Sequence, residues 1–99
     1  MARQYRPGHV RLKYMALNTQ PVVGMLYRNG MCGRMVQVVA VAGTAVTVRS
    51  YGTQWHGAIT PSKRPRNTVL RFNGAALQSG LAGYTGGIAY TPVAPYVVA

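Results

Sequence analysis

A chain of 99 residues carries 11 Lys+Arg and no Asp or Glu, a formal charge of +11. The length suits one domain with a thin core, and an apolar fraction of 48% argues against disorder of the whole chain. The missing carboxylates exclude a carboxylate general base, an acidic partner to orient a histidine, and a hard-cation cage.

In chain order, residues 1–9 read as a basic arm. Arg3 and Arg6 are followed by Arg11 and Lys13, interleaved with Tyr5, His9 and Tyr14. Pro7 and Gly8 break any amphipathic helix there, and no apolar stretch follows the basic start, so neither a transit nor a signal peptide is expected. Residues 10–73 read as a small β domain. Apolar and polar residues alternate over 10–17, and a second apolar run covers 22–28. Asn29-Gly30 then signals a hairpin. The β-branched run 34–41 ends at a tight turn over Ala42-Gly43-Thr44, and alternation resumes over 45–51 and 67–72. Pro61 and Pro65 flank a basic loop holding Lys63, Arg64 and Arg66, with Arg71 on the strand beyond. The pattern predicts a mainly β fold: a small antiparallel β-barrel or bent sheet, SH3-like or OB-like.

Residues 74–99 differ in kind. All the cations lie at or before Arg71, and the last residues carry no charged side chain. Gly, Pro and the evenly spaced Tyr84, Tyr90 and Tyr96 predict an irregular arm, with a helical turn or two near 75–83. A neutral arm of this kind needs a surface to lie on, and its tyrosines suit a protein interface with another subunit.

Catalytic chemistry has little to draw on. Cys32 lies in a Gly-punctuated turn, and its spacing from His9 and His56 is not a zinc pattern. No phosphate-loop spacing occurs. The expectation is a protein that is not an enzyme and holds no cofactor or metal. One cysteine allows no internal disulfide, which suits a reducing compartment. No apolar run nears the roughly 20 residues of a spanning helix, and no membrane partner is expected.

Charge is the strongest functional signal. Eleven cations on a domain of about 13 Å radius of gyration repel one another by about 13 kcal/mol unscreened in water. Physiological salt cuts this to about 1–2 kcal/mol. A polyanion would remove the repulsion, and RNA or DNA is the first candidate. The candidate contacts are Lys63, Arg64, Arg66, Arg71, Arg49, Arg3, Arg6, Arg11 and Lys13. Trp55 is read either as the core anchor of a small barrel or as a stacking surface beside the guanidinium groups. These features predict a structural protein of a large nucleic-acid-containing assembly, a virion or a cytoplasmic ribonucleoprotein particle. The alternative is a capsid cement or connector protein whose cations dock on an acidic protein lattice. A stoichiometric inhibitor covering an RNA or an acidic cleft ranks third.

Overall fold

The computed structural model describes residues 9–55, 58–79 and 88–98, and all regular secondary structure among them is strand. The strands are β1 (His9–Tyr14), β2 (Leu26–Asn29), β3 (Arg34–Ala42), β4 (Ala45–Trp55), β5 (Ala58–Pro61), β6 (Asn67–Phe72), β7 (Leu77–Gln78) and β8 (Ala89–Val98). The antiparallel order β8-β2-β3-β4-β6-β7 closes on itself through β7–β8, giving a six-stranded barrel. Closure leaves these strands without a free edge around the ring. Two strands stand outside the ring: β1 pairs with β8, and β5 pairs with β4.

Alternation in the sequence becomes the barrel wall. Val46 and Val48 of β4, Val38 of β3, and Leu70 and Phe72 of β6 point inward with Tyr27 and Leu77 to form the main core. Each such side chain contributes about 1.5–3 kcal/mol on burial. A smaller cluster of Leu26, Met35 and Val93 has Leu12 of β1 and Ile59 of β5 packed against it, so the two outer strands cover a second core. The hairpin between β3 and β4 turns through Gly43 and Thr44, with Ala42 opposite Ala45. Gly43 sits at φ 61°, a left-handed conformation glycine adopts without strain.

The Asn29-Gly30 signal marks a longer connection than a two-residue turn. Arg28 pairs with Met35, and the Asn29 side-chain oxygen accepts the Met31 N–H at 2.8 Å.

The larger correction concerns the C-terminal segment. The irregular arm expected over 74–99 is ordered strand at Leu77–Gln78 and Ala89–Val98, and β8 pairs with β1, β2 and β7. The change in composition after residue 71 is therefore no boundary in the sheet. Pro92 and Pro95 hid this strand, since proline is normally confined to sheet edges. The Pro92 carbonyl accepts the Met15 N–H at 2.8 Å, so its missing donor faces the same side, at the gap between β7 and β1. By strand alternation Pro95 faces the β2 side, beyond the last β2 pair at Leu26 and Val93. Pro92 therefore gives up only the reciprocal bond to the Met15 carbonyl, one residue past the end of β1, and the Pro95 nitrogen faces no β2 residue in the ladder. The expected basic arm lies outside the described residues except for His9, which opens β1.

Tyr27 is fully buried, and its hydroxyl has no hydrogen-bond partner among the described residues. Burial pushes its phenol above the ordinary value of 10.0, because the core disfavours the phenolate. Below that value both folded and unfolded chains hold the proton. As pH rises past it, the unfolded chain ionises first and stability falls, by up to about 1.4 kcal/mol per pH unit until the folded phenol also titrates. Tyr27→Phe is expected to lose this component. Thermal melts between about pH 9 and 11.5 should show a smaller fall in Tm for the variant than for the natural chain. Equal falls would mean that Tyr27 is hydrated.

Candidate functional site

The site begins with the length of β4. Along one edge, Ala45–Arg49 pair with β6 and Gly52–Trp55 pair with β5. The connection from β5 to β6 must cross the intervening step, and residues 62–66 do so. Ser62 N–H donates to the Tyr51 carbonyl at 3.2 Å, and Ser50 N–H donates to the Arg66 carbonyl at 3.0 Å. Arg66 N–H in turn donates to the Ser50 hydroxyl at 3.2 Å. The basic loop is thus tied to β4 at both ends, and Pro65 restricts it between them. This lowers the entropy the loop would lose on holding any ligand.

The other edge of β4 is irregular at the same place. Met35 lies opposite Gly52 and Val36 opposite Ser50, so Tyr51 is an extra residue, a β-bulge. Bulges bend a strand and re-aim its side chains. Gly52 is needed here: a Cβ would stand 2.4 Å from the Thr60 carbonyl oxygen, so only glycine lets β5 approach this closely.

Around this step opens a groove of about 420 Å³. Val36, Ser50, Thr68 and Tyr90 line it. The first three continue the inward-facing sets of β3, β4 and β6, and Tyr90 packs on the main core. The groove is therefore one mouth of the barrel. Arg34, Arg64 and Arg66 also line it, together with Thr53 and Ser62. All three arginines are exposed. No carboxylate side chain exists anywhere in the chain to pair with them. Three guanidinium groups and the hydroxyls of four Ser/Thr residues and Tyr90 around one concavity can bind an oxyanion through charge-assisted hydrogen bonds.

The sequence-predicted residues divide accordingly. Arg64 and Arg66 belong to the groove, and Lys63 is exposed in the same loop. Arg49, opposite Asn67, and Arg71, opposite Ala45, are exposed on the outer wall of β4 and β6. Arg71 is about 13 Å along β6 from Asn67 at the groove end, and lines a separate cleft of about 160 Å³ with Thr44 and Val69. Lys13 is exposed on β1, opposite Ala94. Arg11 pairs through its backbone with Tyr96, and Trp55 with Ala58 at the end of β4. The side chains of Arg11, Trp55 and Tyr96 lie outside the described residues, as do Arg3, Arg6 and Tyr84 entirely. Tyr90, expected on a protein-facing arm, is half-buried in the barrel and lines the groove. Arg34 was not singled out by the sequence, because it stands in a hairpin far from the basic loop. Only the β3–β4 register, Arg34 opposite Thr53, brings it to the mouth.

Comparison with protein-family models, curated proteins and solved structures finds no match for this chain.

Proposed function

We propose that this is a non-enzymatic structural protein of a nucleic-acid-containing assembly, a virion or cytoplasmic ribonucleoprotein particle, that grips the phosphate backbone at the barrel mouth. One observation carries the reading. Arg34, Arg64 and Arg66 gather around a single groove in a chain that has no acidic side chain to neutralise them. Arg49 and Arg71 add a sparser basic strip on the adjoining wall. An SH3-like or OB-like affinity of the barrel belongs to the same proposal, supported by short strands, the tight β3–β4 turn and a groove at one mouth.

The alternative, a cement or connector protein on an acidic protein lattice, draws support from a different region. Tyr14, Met15, Leu17, Val22 and Val23 are exposed at 40–62% around the β1–β2 connection. An apolar surface of this kind suits a protein neighbour.

Salt dependence separates the two. Duplex binding through four to eight phosphates gives a slope of log affinity against log salt of about −4 to −7. Titrations between about 50 and 300 mM salt should show it. Negligible affinity for every nucleic acid at about 150 mM would overturn the first reading and leave the second.

A further inference from the structure

We infer that the barrel mouth binds a single strand of nucleic acid, with phosphate held by Arg34, Arg64 and Arg66 and a base seated against Tyr90 and Val36. This inference deepens the phosphate-binding reading and rests on it.

The shape of the site selects the strand. A duplex presents its phosphates on the outside of a wide rod and meets flat or broadly curved basic surfaces. This cluster instead lines a concave groove of about 420 Å³. That volume falls in the range of pockets for small organic ligands, about 300–1,000 Å³, and a nucleotide unit fits within it. A base can enter only if it is unpaired.

The lining is mixed in the way a nucleotide requires. Cations come from two separate elements, Arg34 at the start of β3 and Arg64 and Arg66 in the loop after β5. The apolar part is Val36 and the aromatic Tyr90, both half-buried and packed against the core. Such a surface gives a base an apolar contact at little entropic loss. Thr53, Ser62 and Thr68 supply hydroxyls within the same groove for sugar or base edges. Val36 and Tyr90 belong to the barrel wall, and their part-exposed surfaces put an apolar face in the same groove as the three cations.

The test uses the full chain with labelled oligo-dT, oligo-rU and a mixed-sequence DNA duplex, each about 12 units long, at about 150 mM salt. Both single strands are expected to bind about tenfold or more tighter than the duplex, despite the duplex's higher charge density. Arg34→Gln should weaken single-strand binding about tenfold and duplex binding much less. Lys13→Gln removes the same charge from β1 and should shift the two substrates alike. Tyr90→Leu should weaken the single strands about tenfold; a thermal melt accompanies it because Tyr90 packs on the core, and exposed Arg34 keeps the test decisive if that variant unfolds. A duplex bound as tightly as the single strands, or equal losses on both with Arg34→Gln, would overturn the inference and leave the phosphate-binding function standing. No binding to any of the three would overturn both.

Discussion

Changing Arg34, Arg64 and Arg66 together to Gln is expected to reduce nucleic-acid affinity by about 150- to 2,000-fold at about 150 mM salt, with the fold intact. Each exposed guanidinium–phosphate pair is worth about 1–1.5 kcal/mol, at or just below the range for hydrogen bonds to charged groups because solvent screens it, so three give about 3–4.5 kcal/mol. The salt slope should flatten by about 2–3, close to one unit for each phosphate no longer neutralised. Stability should move the other way from affinity. In most proteins an arginine cluster is tied to carboxylates, and its removal breaks ion pairs. Here there is no Asp or Glu to break from. Lowering the cation count from 11 by three removes about half of the pairwise repulsion, a gain under about 1 kcal/mol at physiological salt. Anisotropy titrations beside a thermal melt check both halves. An unchanged slope with an unchanged Tm would place the polyanion on the outer-wall residues Arg49 and Arg71 instead.

How much of this was legible in the sequence depends on the range of the signal. The strands β3, β4 and β6 were legible because one face of each is buried, and valine alternation records that directly. The Gly43 turn was legible because its conformation favours glycine. The basic loop was legible because two prolines bracket it. What failed depended on partners distant in the chain. β5 is a four-residue strand of Ala, Ile, Thr and Pro with no alternation of its own, and it exists because β4 outruns β6. β8 contains two prolines, and that they cost it no more than one bond at the end of a ladder follows from where β7 ends, where β1 ends and where β2 begins. The same limit applied to the site. Arg64 and Arg66 are neighbours in sequence, whereas Arg34 joins them through the register of a hairpin bulged at Tyr51. The groove itself belongs to no segment, since its walls come from β3, β4, β6, β8 and a loop.

Truncation after Ile88 is expected to abolish cooperative folding, the largest effect anticipated for any single change to this chain. The cut removes no charged side chain, because every Lys and Arg lies at or before Arg71, so electrostatics cannot explain the result. Among the described residues it removes the only strand hydrogen-bonded to β1 and one of the two strands paired with each of β2 and β7. The ring opens between β2 and β7, and two facing strand edges lose their hydrogen bonds. Val93, 4% exposed, leaves the second core, Pro92 leaves a fully buried position, and Tyr90 uncovers the first core. At about 1.5–3 kcal/mol for a fully buried side chain and less for half-buried Tyr90, these three contribute several kcal/mol, before the backbone ladder is counted. That loss rivals the whole stability of about 5–15 kcal/mol expected for a domain. Leu12 and Ile59 would then lie against an incomplete second core. The truncated chain should show a disordered far-UV spectrum and no sigmoidal urea transition. A neutral accessory arm would behave oppositely: its loss would leave the urea midpoint and m-value almost unchanged, because neither core would be exposed. Urea melts of the two lengths therefore distinguish a closed barrel built with its uncharged terminus from a charged domain that merely carries one.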